Sequence, residues 1–475
     1  MKKTLVYTLL ALTIITTWGD DTFRMDEFVI TGTKTEHLLE EAPVHTEVIT
    51  EETLKKKGIT DIKDAFDEVA GVKAIRSMGS WGNKGNISIQ GMSSEHILIL
   101  VDGMQITGGH GGTDISSIPV NSIERIEIVK GSASALYGSE AIGGVINIIT
   151  NNAEKKNSLS LEMGKYNTEM LKFSTGDRDG EFGYSINYAR EESDGINPDY
   201  VSGGERQSDW YKESSLSAKL LFGSGRNTLA IDPSWSEQTM RDGLTATTWQ
   251  DRIQKRTGMN LTYNSVIDSD SAFKVNYSDY EYEHYTEDRT SEWTDNNQNI
   301  DIMYNTTSIK GNNIILGSVS RSEERDDKGK GFKKERDIDS FYIQDEITSG
   351  SNTFVLGLRS DDYEDLGKQD NPRIAVHFRK DRDVSYRLSY GEAFRAPDLN
   401  KMYAVPWIMG PYNVISNPSL KPEESTNYML GIDVKRNENS KLYVNLFKNE
   451  LENLINYTTT RVGPPPWNMN WVNVD

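Results

Sequence analysis

From about residue 157 onward, apolar and polar side chains alternate with a period of two. In the segments 182–188, 384–390 and 428–434, every even position is apolar or aromatic, and the odd positions are mostly small, polar or charged. This is the period of a β-strand with two unlike faces. The alternation predicts about fifteen strands between residues 157 and 457. A soluble sandwich would show the same pattern, so alternation alone does not distinguish it from a membrane barrel.

The N-terminus predicts export from the cytoplasm. Lys2 and Lys3 precede a mainly apolar run, Leu5–Trp18, and the small residue Gly19 follows it. This order is typical of a secretory signal peptide, which we expect to occupy residues 1–19. The alternative is a membrane anchor, but the run is shorter than the roughly 20 residues that span a bilayer. A chain of this kind in a membrane must therefore form a closed barrel.

Composition excludes several classes of function. The chain carries 72 acidic and 52 basic side chains, for a formal net charge of −20. Nucleic acid is not an expected partner, because binding phosphates requires a basic face. The absence of cysteine excludes disulfides, thiolate metal sites and a lipoprotein anchor. The sequence shows no nucleophile–base pair or dense metal-ligand cluster above background, so we do not expect an enzyme.

A short polar arm, residues 20–40, precedes the first folded domain. Within it, Phe28, Val29 and Ile30 favour an extended chain. The surroundings are polar, so we expect this segment to be exposed rather than part of a core. An exposed extended segment near a terminus can add itself to the sheet edge of another protein. The alternative is that it forms the first strand of the domain that follows.

Residues 41–152 predict a mixed α/β domain. One helix is expected from Thr50, as its cap, through Lys57, and a second from about residue 61 to residue 69. Short strands are expected at 86–90, 97–101, 123–129 and 145–150. The strand at 97–101 is apolar throughout, as expected for a strand buried on both faces.

Three motifs in this domain resemble a known family. They read Lys-Gly-Asn-Ile-Ser-Ile-Gln-Gly followed by Ile-Leu-Ile-Leu-Val-Asp-Gly in 84–103, Ile-Glu-Arg-Ile-Glu-Ile-Val-Lys-Gly in 123–131, and Ala-Leu-Tyr-Gly-Ser-Glu-Ala-Ile-Gly-Gly-Val-Ile-Asn in 135–147. In content and order they resemble the plug domain of TonB-dependent outer-membrane receptors. In that family an α/β plug fills a transmembrane antiparallel β-barrel that imports scarce nutrients.

The resemblance implies an organisation for the whole chain. After the signal peptide come a periplasmic arm with a TonB box at 20–40, a plug at 41–152 and a barrel at 157–475. The family's barrels have about 22 strands, whereas this sequence predicts about 15–16, so we expect an incomplete barrel. A naturally smaller barrel is the alternative. The expected location is the outer membrane of a Gram-negative-type bacterium, in contact with its lipid.

The resemblance also implies two kinds of binding site. The TonB box, expected to pair with TonB and its inner-membrane energising complex, covers Asp26, Glu27, Phe28, Val29, Ile30, Thr31 and Gly32. Cargo is expected to contact two plug apices and the outer loop 398–420, through Trp81, Asn83, Gln105, His110, Trp407 and Tyr412. Calcium is the one cofactor considered, on an outer loop at Asp194, Asp199 and Asp209, with a solvated acidic loop as the alternative.

Two positions depart from the family's pattern. Gln90 and Lys130 stand where the family usually has arginines that pair the plug with the barrel. Because neither side chain offers arginine's planar fork, that ionic latch is in doubt.

The cargo is expected to be a scarce metal chelate. Segments 395–397 and 417–423 resemble paired barrel motifs that, in haem importers of the family, flank a histidine, but residues 398–416 contain none. Haem is therefore less expected, and the aromatic residues of the apices and loop suit catecholate iron chelates and also corrinoids. A ferric siderophore is the expected cargo and cobalamin the alternative. Haem, a signalling or toxin receptor, and a secreted soluble β-protein rank below them.

Overall fold

The computed structural model describes residues 28–67, 69–76, 85–108, 113, 115, 117–194, 210–245, 248–437 and 440–474. Several predictions lie outside these residues, namely the signal peptide and the site residues Asp26, Glu27, Trp81, Asn83, His110, Asp199 and Asp209. Within the described ranges, no helix is long and apolar enough to cross a bilayer.

The arm and the plug consist of short elements. The arm contains β1 (Phe28–Val29) and β2 (His37–Leu38), which pair with each other. The plug contains β3 (Thr46–Thr50), α1 (Glu51–Lys56), α2 (Ile62–Phe66), β4 (Val72–Arg76), β5 (Gly85–Ile89), β6 (Ile97–Val101), β7 (Met104–Gln105), β8 (Ile123–Lys130), α3 (Ser134–Tyr137) and β9 (Gly144–Thr150). Its main sheet has the order β3-β8-β9-β6-β7, with β6 and β9 parallel.

The plug elements form for the reasons that the sequence indicates. Thr50 caps α1 by accepting a hydrogen bond from the Thr53 main-chain N–H. Asp61 caps α2 in the same way. The helix ends at Phe66, whereas the sequence predicted an end at residue 69. The strand β6 is buried along nearly its whole length and packs with β9 in the core, as its apolar run predicts.

The barrel strands follow from residue 156. They are β10 (Lys156–Met163), β11 (Glu169–Asp179), β12 (Phe182–Ser193), β13 (Tyr211–Phe222), β14 (Asn227–Thr245), β15 (Thr248–Val266), β16 (Ser271–Thr286), β17 (Glu292–Thr306), β18 (Asn312–Asp327), β19 (Phe332–Ser349), β20 (Asn352–Tyr363), β21 (Gly367–Arg379) and β22 (Val384–Arg395). After these come α4 (Leu399–Tyr403), β23 (Trp407–Met409), β24 (Tyr412–Ile415), β25 (Glu423–Asn437), β26 (Ser440–Glu452), β27 (Leu454–Thr460) and β28 (Trp467–Val474).

Fifteen of these strands form one antiparallel sheet, β10 to β22 followed by β25 and β26, which confirms the predicted number. The alternation places polar side chains inside and apolar ones outside. In β12, Ser185 and Asn187 are buried while Phe182 is 45% exposed, and on β19 Gln344 is fully buried while Phe341 is 68% exposed. This inversion of a soluble core is typical of a barrel that faces lipid outside and a polar lumen inside.

The inner face of the sheet surrounds the plug. Plug residues contact it at widely separated strands, for example Asn121 with Ser174 on β11, Asp102 with Asn260 on β15, and Glu95 with Arg395 on β22. Long connections, 194–210 and 396–422, leave the outer end of the sheet. Short turns such as 180–181 and 223–226 close the opposite end. This rhythm is that of an outer-membrane barrel.

The last two strands do not extend the large sheet. β27 pairs with β28, and β28 runs parallel to β24, giving a separate outer sheet with the order β23-β24-β28-β27. The β-branched residues Thr458, Thr459 and Thr460 favour an extended chain and pair with β28 in this outer sheet. Among the described residues, β10 and β26 each pair with one neighbour only. The expectation of further strands stays a prediction.

Candidate cargo cavity and plug arm

A cavity of about 680 Å³ lies between the plug and the outer end of the barrel. Its floor is formed by plug turns around Glu95, Thr107 and Glu140, and its wall by the outer ends of β16–β19. The loop 396–409 and the outer sheet lie over it, contributing Trp407 and Trp471 among others. Its volume falls within the range of small-molecule sites, about 300–1,000 Å³.

Charged side chains of both signs line the cavity in nearly equal number. The described cations are Arg252, Arg325, Lys330, Arg336, Arg395 and Lys401. The described carboxylates are Glu95, Glu140, Asp295, Glu323, Glu324, Asp327 and Asp398. Net charge therefore does little to select a ligand here. The placement of individual donors and acceptors must do so.

Arg325 has two hydrogen-bond donors without a partner among the described residues. Its Nη1 donates to both oxygens of Asp295, at 2.9 and 2.8 Å, and its Nη2 lies 3.8 Å from Asp327 Oδ2, beyond hydrogen-bond distance. Among the described residues, neither its Nε nor its Nη2 has a hydrogen-bond partner, although the residue is only 5% exposed. Buried donors without acceptors are costly. A ligand oxyanion that reached these atoms would satisfy them, in the manner of arginine's fork.

Aromatic rings lie beside the cations. The His284 ring stacks on Trp293 with centroids 3.7 Å apart, and the Arg325 guanidinium lies 5.0 Å from the Trp293 centroid. Across the cavity, Lys330 Nζ lies 4.2 Å from the centroid of Trp407. Flat surfaces next to cations suit a ligand that combines aromatic rings with anionic oxygens.

Burial and neighbouring charges shift the pKa of three carboxyl groups of the plug and the covering loop. Burial raises the pKa of Glu140 to about 7, with Glu323 adding to the effect. Burial also disfavours the Glu95 carboxylate, but Arg395 and Lys401 outweigh it and lower the pKa. At Asp398, burial is outweighed by Arg325 and Lys401, which hold the pKa at about 2. Of these three groups, Glu140 is the one whose pKa lies near neutrality.

The arm is docked onto the plug rather than exposed. The Glu127 carboxylate, which is fully buried, accepts hydrogen bonds from the Ile30 N–H at 3.0 Å and the Thr31 N–H at 2.8 Å. Tyr137 Oη donates to the Thr31 carbonyl at 3.0 Å. Val29 is 2% exposed, whereas Ile30 is 38% exposed. The expectation of an exposed segment is therefore wrong for Val29 and Thr31, because a carboxylate of β8 binds their stretch of backbone.

The arm is also tied to the barrel wall. Arg373 Nη1 donates to the Gly32 carbonyl at 3.0 Å, and Gln344 Nε2 to the Thr33 carbonyl at 2.9 Å. Lys34 Nζ forms an ion pair with Asp301 at 2.8 Å. Plug and barrel thus hold the same few residues from opposite sides.

One ionic contact between plug and barrel has the opposite polarity to that of the expected latch. Lys130 pairs within the plug, with Glu47 at 3.1 Å and the Ala70 carbonyl at 2.7 Å. The barrel instead supplies the cation, since Arg395 Nη2 lies 2.8 Å from Glu95 of the plug. Lys130 therefore pairs within the plug rather than with the barrel, and Arg395 is a barrel residue that forms an ion pair with the plug.

Comparison with known proteins decides the family. Residues 39–145 match the TonB-dependent receptor plug domain, and residues 155–475 match the TonB-dependent receptor-like β-barrel. The chain belongs to the TonB-dependent receptor family. This is an outer-membrane family of transport receptors, not of enzymes, whose members bind a chelate ligand and interact with TonB.

Several relatives of this TonB-dependent receptor are known. The vitamin B12 transporter BtuB of Vibrio vulnificus (strain YJ016) is 26% identical over 461 residues, covering 92% of this chain and 72% of the relative. The siderophore receptor PirA from Pseudomonas aeruginosa has 22% identity and a TM-score of 0.71, covering 90% of this chain and 78% of the other. A variant of the ferric enterobactin receptor PfeA from the same species has 19% identity and a TM-score of 0.75, covering 91% and 76%.

The receptor places its predicted cargo residues in different surroundings. Trp407 lines the cavity. Gln105 and Tyr412 are not among the described lining residues. Gln105 Nε2 donates to Glu140 at 3.0 Å and its Oε1 accepts from Arg321 at 2.7 Å, so it bridges plug and barrel. Tyr412, on β24 of the outer sheet, accepts a hydrogen bond from Arg461, the residue after β27.

The predicted calcium site is largely outside the described part of the receptor. Of its three residues only Asp194 is described, and its main-chain N–H donates to the Tyr166 carbonyl at 2.9 Å. No group of three or more potential metal ligands occurs among the described residues. Calcium binding stays a prediction.

Sequence reasoning missed Arg325, Lys330 and Trp293. Trp293 and Arg325 lie on the inner face at the outer ends of their strands, where the register brings Trp293 opposite Asp327 and Asp295 opposite Arg325. A signal was available, because charged or aromatic residues at inward positions beside a long-loop end are candidates for a binding site.

Proposed function

We propose that this receptor imports an oxyanion-bearing metal chelate, of the ferric siderophore class, across the outer membrane with energy supplied through TonB. The observation that carries the proposal is the cavity beneath the outer loops, where two buried donors of Arg325 have no partner among the described residues. A ferric catecholate offers anionic oxygens for such donors and flat rings for Trp293 and Trp407. Trp81, Asn83 and His110 are proposed as further contacts from the plug apices.

The TonB half of the proposal rests on the arm. The side chains of Phe28 and Ile30 are 46% and 38% exposed, so one edge of the predicted TonB box is accessible while the other is docked. Pairing of residues 26–32 with a strand of TonB would require Glu127 to release Thr31. Traction on the arm would then also pull Gly32 and Lys34 away from the barrel wall.

A corrinoid is the second candidate cargo. The observation that favours it is the match to a vitamin B12 transporter over 92% of the chain, at higher identity than the siderophore receptors quoted above. Cobalamin is neutral overall but carries a phosphodiester, which could also meet Arg325. The nearly balanced charges of the cavity suit such a ligand. The two candidates therefore differ in cargo and agree on the chemistry at Arg325.

Binding measurements on the purified receptor distinguish the candidates. Tryptophan fluorescence would be followed during titration with ferric enterobactin and, separately, with cyanocobalamin. Saturable binding of ferric enterobactin that is weakened about tenfold or more by Arg325→Gln supports the siderophore proposal. Arg241→Gln is the matched control, since Arg241 lies outside the described cavity lining and pairs with Asp251. Binding of cyanocobalamin alone would favour the second candidate, and binding of neither would contradict the proposal.

A further inference from the structure

Four buried arginines lie along the inner face of β20, β21 and β22. They are Arg395, Arg359, Arg373 and Arg387, here named the arginine file, with exposed fractions of 7%, 5%, 3% and 8%. By contrast, the buried polar side chains that the structure describes on β11–β15, across the lumen, are mostly Ser, Asn and Gln, with Lys219 and Arg256 as the charged exceptions.

The arginine file runs from the cargo cavity towards the short-turn end. Arg395 lines the cavity, and Arg387 lies three residues after Val384, where β22 leaves its short turn. Arg387 and Arg395 are eight positions apart on one strand, which corresponds to about 26 Å. Arg359 and Arg373 lie between these levels. Arg373 pairs with Gly391 of β22 on one side and with Gly357 of β20 on the other, and Arg359 lies two residues after Gly357. The file therefore covers most of the height of a membrane-spanning wall.

The plug and the arm occupy the donors of three of these arginines. Arg359 Nη1 donates to the Leu136 carbonyl at 3.3 Å, and Arg373 Nη1 to the Gly32 carbonyl at 3.0 Å. Arg387 donates to the carbonyls of Ala42 and Glu40, at 2.9 and 3.1 Å. All these acceptors are backbone carbonyls of segments that must move for cargo to pass. Their departure would leave guanidinium donors unsatisfied inside the barrel, which is unfavourable unless another acceptor replaces them.

Carboxylates of the wall neutralise the arginine file unevenly. Asp361 pairs with Arg359, Glu423 with Arg395, and Asp433 with Arg387. Among the described residues, Arg373 has no carboxylate within ion-pair distance. Arg373 is thus the member of the file without a direct ion pair among the described residues, and Glu346 of β19 is the wall carboxylate that acts on it from a greater distance.

We infer that the arginine file is a track for the cargo during translocation. The inference rests on the proposed function. As arm and plug rearrange, the oxyanion of the chelate takes over the donors that the carbonyls vacate, passing from Arg395 to Arg359, Arg373 and Arg387. The file thus selects for oxyanion-bearing cargo in a second step, after capture in the cavity. The passage of the cargo past Arg373 is the step that depends most on the charge of the arginine.

The test separates capture from translocation. Cells that carry the receptor are given radiolabelled ferric enterobactin, and in parallel radiolabelled cyanocobalamin. Surface binding is measured without energy and uptake with energy. For the cargo that binds, Arg373→Gln is expected to keep surface binding within about twofold and to lower uptake about tenfold, the effect of one charge-assisted hydrogen bond. Arg373→Lys should restore part of the uptake, because the charge is kept.

Gln344→Ala is the matched control. Gln344 donates to the arm at Thr33, the residue after Gly32, but carries no charge. Uptake near the unaltered level in this variant, together with the loss in Arg373→Gln, supports the track. Equal losses in both variants would mean that Arg373 only anchors the arm, and undiminished uptake by Arg373→Gln would also overturn the inference. Failure of the unaltered receptor to bind either probe would contradict the proposed function and this inference with it.

Discussion

Glu127 binds Thr31 through two hydrogen bonds, accepting from the main-chain N–H at 2.8 Å and from Oγ1 at 2.7 Å. The two residues are 96 positions apart in sequence, and both are almost completely buried. Arg125 Nε lies 2.9 Å from the other oxygen of the same carboxylate. A buried, paired carboxylate therefore anchors the segment on which TonB is proposed to act, and its strength sets how readily the arm is released.

Weakening this anchor should expose the arm. Glu127→Gln removes the charge but keeps the size, and bonds to a charged acceptor are worth about 1.5–3 kcal/mol each. Since the chain has no cysteine, Val29→Cys provides a single reactive thiol at a position that is 2% exposed. Maleimide labelling at this position should be about tenfold faster or more when Glu127→Gln is added. Ile30→Cys, at a site that is already 38% exposed, is the labelling control. An unchanged rate would mean that Glu127 does not hold the arm.

Val29→Pro should abolish uptake and leave cargo binding intact. Proline removes a backbone N–H from the extended segment, so strand addition to TonB is disrupted, while the cargo cavity lies at the other end of the plug. Val29→Ala keeps the N–H and should transport at close to the unaltered rate. Uptake by Val29→Pro at that same rate would remove this segment as the TonB contact.

Trp407 and Tyr412 should differ in their effect on cargo affinity. Trp407 lines the cavity, whereas Tyr412 packs beside Trp467 on the outer sheet, with centroids 6.0 Å apart. Trp407→Ala is expected to weaken binding of ferric enterobactin about tenfold through lost contact with the chelate. Tyr412→Leu, which keeps apolar bulk, should bind within about twofold. Fluorescence titration of both variants checks this, and equal affinities would place the cargo elsewhere.

Glu140 should make stability depend on pH. Its pKa in the folded receptor is about 7, raised from 4.5, so the folded state binds this proton more tightly than the unfolded chain. The stabilising contribution is complete below about pH 4.5 and is lost as the pH rises through about 7. Glu140→Gln mimics the protonated group. Relative to the unaltered receptor, it should gain about 1–3 kcal/mol between pH 5 and pH 8.

Thermal unfolding of both proteins in detergent at the two pH values measures this difference. Glu140 lies partly open to the cavity, so solvent screening places the gain towards the lower end of that range. Parallel pH profiles for the two proteins would show that Glu140 titrates in the folded state much as it does in the unfolded chain.

The sequence predicted what depends on local pattern. Alternation gave the number of barrel strands and which face is polar, because period and burial are properties of each strand alone. It could not predict that Glu127 would dock Thr31 or that Arg395 would meet Glu95. Those contacts depend on the curvature and register of a sheet that brings distant residues together. The arm was expected to be exposed because its own composition is polar, and the acceptor that buries it lies in another element.

The cargo site shows the same division. Trp407 could be proposed from an aromatic residue in a long loop. Arg325 could not be ranked above the chain's other arginines, because its distinguishing property is a pair of buried donors that lack acceptors in the part of the chain that the structure describes. That property arises only from the packing of neighbouring strands.

Energy-dependent uptake tests the central claim most directly. Radiolabelled ferric enterobactin would be offered to cells that express the receptor, with and without TonB, and accumulation inside the cell compared with binding at the surface. The account predicts equal surface binding in the two strains, with accumulation only where TonB is present. Accumulation at the same rate without TonB, or a complete absence of surface binding, would contradict it.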